Sequence, residues 1–95
     1  MATIHKHLSS YDASSLPDAA KFRYGLVVSQ WNEDITEGLA QGAFTTLAEC
    51  GVPSEQITRW NVPGSFELVY GCQRMIAKHP EIDVIIAIGN VIQGE

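Results

Sequence analysis

The chain alternates three short apolar runs with two stretches in which apolar residues recur at helical spacing. That alternation restricts its fold more than any other feature. Tyr24–Ser29 (YGLVVS) is rich in strand formers. Asn32 then offers a helix N-cap, and Glu33 and Asp34 follow where a helix start favours negative charge. Ile35, Leu39, Ala43, Leu47 and Cys50 put an apolar face on a helix over 33–50, which Gly51 and Pro53 end. Ile57–Val62 (ITRWNV) alternates as a second strand. After Pro63-Gly64 a second helix is predicted over 66–78. It has Phe66, Val69, Gln73 and Ile76 on one side, with Leu68, Cys72 and Met75 beside them. Lys78 and His79 suit the C-terminal end of its dipole, and Pro80 forbids continuation. Residues 82–88 (IDVIIAI) are almost continuously apolar, as a strand covered on both faces must be.

A β-α-β-α-β order with short connections implies parallel strands joined by right-handed crossovers. The expected architecture is a flavodoxin-like three-layer α/β/α parallel sheet with strand order 2-1-3. Two helices leave part of the sheet uncovered and the third strand's outer edge bare, so a further strand and helix are expected beyond the sequence given. Residues 1–21, polar and rich in Ser, Ala and Asp, read as an extended N-terminal arm ordered only against something else. Residues 22–95 then form the N-terminal part of one α/β domain.

With 95 residues, one small domain is the upper bound. Six basic residues against eleven acidic ones give a net charge near −5. Lys6, Lys21, Arg23, Arg59, Arg74 and Lys78 are scattered, which argues against nucleic acid or an anionic membrane as partner. Cys50 and Cys72 lack CxxC or metal spacing and read as buried thiols in a reducing compartment. The opening MATIHKHLSSYDASS lacks the layout of a signal peptide, and no apolar stretch is long enough to span a bilayer. A soluble, cytoplasmic protein is expected.

In an open parallel sheet the ligand crevice lies beyond the carboxyl ends of the strands, at the switch point. Residues 29–32 (SQWN), 62–67 (VPGSFE) and 89–95 (GNVIQGE) should meet there. Trp31 either covers the core edge or stacks on a flat heterocycle. Asn32 is first of all a cap. Glu67 either complements the helix dipole or accepts hydrogen bonds from sugar-like hydroxyls. Gly64 and Ser65 are turn residues, or they let backbone N–H groups approach a ligand. Taken singly, the bland readings prevail; their convergence on one sheet edge favours the functional ones. Rival sites fit poorly. SQWNED is not the Ser/Thr/Gly-rich phosphate loop of a flavodoxin, and Asp83 begins the third strand, where a response regulator needs an Asp at the end. GxGxxG is absent, Ser29 lacks a GxSxG elbow, and His5, His7 and His79 form no metal set.

The segments VVSQWNEDITEGLAQGA, VPGSFEL and DVIIAIGNVIQGE resemble the 6,7-dimethyl-8-ribityllumazine synthase family, which acts late in riboflavin biosynthesis. Aromatic-Asn after the first strand, VPG-x-aromatic-Glu and IG-x-VI-x-G-acid together are specific, whereas any one alone is weak. The resemblance implies a transferase that condenses 5-amino-6-(D-ribitylamino)uracil with 3,4-dihydroxy-2-butanone 4-phosphate, without metal or redox cofactor. Carried over by position, Trp31 would stack on the pyrimidine and Asn32 would line the same pocket. Gly64 lies in the turn before Ser65, Phe66 and Glu67, which would hold the ribityl chain. Asn90, Val91 and Ile92 would bind the uracil edge through backbone groups, and Gly94 and Glu95 would begin the loop that receives the phosphate. Relatives continue with T-x-H and an aromatic residue, where the His is the proposed general acid/base, so no catalytic residue is assigned up to Glu95. Asn90 departs from the small or apolar residue found in many relatives. The family assembles as pentamers, some of them in 60-subunit shells, which implies a homo-oligomer with the arm 1–21 against a neighbour. An enzyme only when the C-terminal remainder is present is therefore expected. The alternatives are a non-catalytic fragment or shell subunit of the same fold and, more remotely, a ribityl-compound binder related to the archaeal riboflavin synthases.

Overall fold

A computed structural model describes residues 17–92. β1 (Tyr24–Ser29), β2 (Ile57–Val62) and β3 (Val84–Ile88) form a parallel sheet in the order β2-β1-β3. Tyr24 pairs with Ile57 on one side and Val84 on the other, so the three strands start level. All six residues of β1 are buried, as the middle strand requires. The expected flavodoxin-like order is the one observed.

The helices α1 (Glu33–Glu49) and α2 (Leu68–Lys78) lie on opposite faces. On the α1 face Leu26, Val28, Ala40 and Ile88 form the core cluster, with Ala43, Leu47, Ile57 and Ile86 packed around it. On the other face, a Cβ on Gly71 of α2 would come within 2.9 Å of both Val27 Cγ1 and Val62 Cγ1. Met75 occupies the space over Gly25 and is fully buried. Such burial contributes roughly 1.5–3 kcal/mol for a side chain of this size.

Both helices are rotated from the faces their periodicity suggests. In α1 the buried residues are Thr36 and Ala40, and Ile35 and Leu39 are each 52% exposed. Thr36, Ala40 and Ala43 follow helical spacing too, and their small side chains let the helix axis approach the sheet more closely than Ile and Leu would. α2 starts at Leu68, after a 3-10 turn over Ser65–Glu67. Its buried line is Gly71 and Met75, with Leu68 and Cys72 half-buried, while Phe66, Val69, Gln73 and Ile76 face outward. Gly71, invisible to a search for apolar residues, is the point of closest approach. Cys50 lies just past α1 at its C-cap, and Gly51 follows with φ +89°, the left-handed turn expected of a helix-ending glycine. Both cysteines are half-buried free thiols, and burial pushes that of Cys72 up from its ordinary pKa. β3 is two residues shorter than expected, and Val84 and Ala87 are exposed, so it is covered less fully than its apolar run suggests.

At the amino ends of the strands, the Tyr24 hydroxyl donates to the Ala19 carbonyl at 2.8 Å. Gln56 Nε2 donates to the carbonyls of Ala20 and Phe22, and the Arg23 N–H donates to the Asp83 carboxylate. Ala19–Lys21 is a 3-10 turn that Asp18 caps through the Ala20 N–H. The first sixteen residues of the expected arm, with His5 and His7, lie outside the described residues. On the α1 side, Arg59 of β2 makes a two-pronged ion pair with Glu37 at 2.8 and 2.7 Å. These hydrogen bonds from the guanidinium hold the Glu37 carboxyl below the usual range.

Candidate functional site

The three strand ends meet, and Asn90 is where they are joined. Just past β1, the Gln30 N–H bonds the carbonyl of Val62 at 2.8 Å, which extends the β1–β2 pairing into the loop. Ser29 is fully buried, and its Oγ accepts the N–H of Trp31 at 3.3 Å. The chain turns there and leaves the Trp31 side chain half exposed, at 50%. A large aromatic face at the end of the central strand is thus free to meet a flat ring.

Asn32 occupies the N-cap position of α1, but its side chain makes no cap bond. Its backbone carbonyl accepts the N–H groups of Ile35 and Thr36, and its backbone is left-handed, with φ 58° and ψ 57°. The carboxamide instead reaches across to the segment after β3, where Nδ2 donates to Asn90 Oδ1 at 3.1 Å. Asn90 Nδ2 in turn donates to the Trp31 carbonyl at 3.4 Å. From the β2 side, Ser65 Oγ donates to the Asn90 carbonyl at 2.8 Å. The Ser65 hydroxyl has therefore used its proton and can only accept from a ligand.

Gly64 is extended, at φ −146°, a conformation open to any residue. Its value is space, because a Cβ there would lie 3.1 Å from the Glu67 carboxylate, which folds back over the turn. The Glu67 N–H bonds the Gly64 carbonyl at 3.1 Å and closes that turn. Phe66 is 94% exposed beside it. Gly89 is a tighter approach, since a Cβ there would meet Leu68 Cδ1 at 2.7 Å and Ser65 Oγ at 2.8 Å. Val91 and Ile92 also lie open to solvent, and Gly94 and Glu95 fall outside the described residues.

Trp31, Asn32, Gly64, Ser65, Phe66, Glu67 and Asn90 thus border one end of the sheet, with Val91 and Ile92 leading away from it. Three residues lie in the segments that the sequence singles out but play parts it does not reveal. Ser29 holds the Trp31 peptide, Gly89 brings β3 against the start of α2, and the Asn90 side chain bridges two loops. A small residue at a strand end is a faint signal for the first two; nothing in the sequence pairs Asn90 with Asn32. His79 stands at the far end of α2, with its Nδ1 3.1 Å from Glu81 Oε2 and its ring edge-on to Trp60.

An open hollow of 410 Å³ lies beside Asn32, Glu33, Asp34 and Ile35 at the start of α1. A second cavity, of 280 Å³, lies between α1 and β2 and is lined by Leu26, Ala40, Gln41, Phe44, Ile57 and Arg59. That cavity is mostly apolar and away from the strand ends, and its one charged group is committed to Glu37. It lacks the convergent polar groups of a binding site. Among the described residues, no group of three His, Cys, Asp or Glu could hold a metal ion, and no helix is long and apolar enough to cross a membrane.

Comparison with known proteins gives one consistent family. The profile described as 6,7-dimethyl-8-ribityllumazine synthase matches residues 21–95. A protein of that name from Christiangramia forsetii is 59% identical over 95 residues, which is 100% of this chain and 56% of that protein. The Flavobacterium johnsoniae protein of the same name is 57% identical over the whole chain, which covers 50% of its length. The one from Parabacteroides distasonis is 46% identical over the whole chain, covering 59%. The chain therefore spans about half the length of the curated relatives it matches.

Proposed function

Because the chain belongs to the 6,7-dimethyl-8-ribityllumazine synthase family, we propose that the complete protein condenses 5-amino-6-(D-ribitylamino)uracil with 3,4-dihydroxy-2-butanone 4-phosphate. The product is 6,7-dimethyl-8-ribityllumazine, and phosphate and water leave. One observation carries the reading for these residues: three strand ends are cross-linked through Asn90 beside an exposed indole. An uncharged pyrimidine with a hydroxylated chain needs such a mixture of one aromatic face, one carboxylate and backbone polar groups.

In this reading Trp31 stacks on the pyrimidine and Asn32 lines the same hollow. Ser65, Phe66 and Glu67 hold the ribityl chain, where Ser65 Oγ accepts and the Glu67 carboxylate accepts charge-assisted hydrogen bonds. Gly64 leaves room for that carboxylate to swing outward. Asn90, Val91 and Ile92 present backbone groups to the uracil edge, and Gly94 and Glu95 lead into the phosphate-binding loop. The chemistry is imine formation, loss of phosphate and ring closure. It depends on orienting two substrates and moving protons, and it calls for no metal or redox cofactor.

The protein acts as a cytoplasmic homo-oligomer, a pentamer or a 60-subunit shell, with the part of the arm 1–21 that precedes the Ala19–Lys21 turn set against a neighbouring subunit, while that turn is tied to its own sheet, and with 22–95 as part of the α/β domain. The outward Ile35 and Leu39 of α1 and Val69 and Ile76 of α2 leave apolar surface open in these residues, which a neighbouring subunit or the rest of the domain would cover. Mixing the complete protein with both substrates should generate the absorbance of the lumazine. No product from a folded, assembled protein would reject the enzyme and leave a non-catalytic shell or scaffold subunit of the same fold.

A further inference from the structure

We infer that the Asn90 side chain is a positioning residue that fixes where the Trp31 indole stands, an inference that rests on the stacking role proposed above. The Trp31 peptide is held from both sides. Ser29 Oγ accepts its N–H at 3.3 Å, and Asn90 Nδ2 donates to its carbonyl at 3.4 Å. The indole itself is half exposed, so core packing holds it only in part, and the position of the backbone that carries it matters.

Asn32 bears the marks of the same arrangement. It is the one non-glycine residue with positive φ among the described residues. Asn enters this region more readily than most residues, yet the conformation persists only where surrounding contacts impose it. At an N-cap its side chain would ordinarily accept an N–H of the first turn. Here it forgoes that bond and donates to Asn90 Oδ1. The bond to Asn90 therefore outweighs the ordinary cap.

Asn90 is suited to this task because a carboxamide donates and accepts at once. Its oxygen takes the Asn32 proton and its nitrogen serves the Trp31 carbonyl, so either bond fixes the orientation for the other. Its backbone is anchored in turn, since the carbonyl accepts from Ser65 Oγ. The end of β3 thereby sets the loop after β1. An aspartate here would keep the oxygen facing Asn32 but turn a second oxygen toward the Trp31 carbonyl, and an alanine would hold neither.

The test is a double-mutant cycle in the complete protein, read as the dissociation constant of 5-amino-6-(D-ribitylamino)uracil without the second substrate. Asn90→Ala should weaken binding roughly tenfold, the scale of losing one or two hydrogen bonds. Combined with Trp31→Ala, the same change should cost less than about twofold, because no indole remains to position. Asn90→Asp should bind like Asn90→Ala, and it guards against a folding defect in the alanine variant. In turnover, the KM for the ribitylaminouracil should rise while that for the butanone phosphate holds, a split that general loosening would not produce. An equal loss with and without the indole overturns the inference, as does no loss in either Asn90 variant. If Trp31→Ala alone leaves affinity unchanged, the stacking role itself fails, and the inference with it.

Discussion

At the amino ends of the strands, side chains tie down the backbone and leave little over. Tyr24 is buried and spends its hydroxyl on Ala19, and Gln56 holds two carbonyls with one nitrogen. At the carboxyl ends the ties are as many, but the surroundings differ. Asn32 is strained, Trp31 and Phe66 stand in solvent, and the Glu67 carboxylate lies back over the Gly64 turn. Stabilising ties and binding ties use the same chemistry, and what separates them is what remains unsatisfied. The amino end closes the fold. The carboxyl end holds groups in place without covering them, which costs stability and becomes useful only when a ligand covers them.

If that contrast is right, substitutions should sort by which end they touch. The largest effect is expected at Met75, which fills the space over Gly25 on the α2 face. Met75→Ala should cost about 2–5 kcal/mol of stability, read from the denaturant midpoint, and the folded fraction should bind ligand as before. Glu67→Ala should do the reverse, weakening the ribitylaminouracil by roughly 1.5–3 kcal/mol with little change in stability. Falling stability with unchanged affinity would make Glu67 an ordinary helix-start residue and blur the two ends.

Gly89→Ala tests the boundary between them. The added methyl meets Leu68 and Ser65, so it should cost about 1–3 kcal/mol of stability and displace the Ser65–Asn90 bond as well. Both stability and affinity should drop, measured by unfolding and by titration of the same sample. A loss of stability alone would mean that Ser65 can shift without disturbing the site.

The same contrast explains what was legible in the sequence. The layered order and the converging strand ends follow from apolar runs and turn residues, and those are local patterns. The buried sides of the helices are legible only in part: Ala43, Leu47 and Met75 pack inward as their spacing suggests, but Ile35, Leu39, Val69 and Ile76 are apolar yet outward, whereas Thr36, Ala40 and Gly71 face the sheet. Close packing selects small side chains, and hydrophobicity alone does not report it. Asn32 illustrates the limit at the site. Its residue type suits a cap, and only the register between β1 and β3 shows that its side chain goes to Asn90, 58 positions away.

The smallest effect belongs to the amino end, and it has a pH signature. Burial is the main cause that raises the Tyr24 phenol above its ordinary pKa, with the nearby Cys50, Asp83 and Asp18 adding to it. A raised value in the folded state means that the folded protein keeps this proton more tightly than the unfolded chain does. The contribution is then fully present below the ordinary phenol value of about 10 and is lost as pH rises through the folded one. Tyr24→Phe removes the bond to the Ala19 carbonyl and should cost about 1 kcal/mol at neutral pH. It should also flatten the alkaline loss of stability, so that the two unfolding curves converge above about pH 10. Cys72, whose thiol is raised as well, contributes equally to both proteins and drops out of the comparison. Curves that stay parallel to high pH would show that the Tyr24 hydroxyl is not held by the fold, and the amino end would lose the closure that sets it apart.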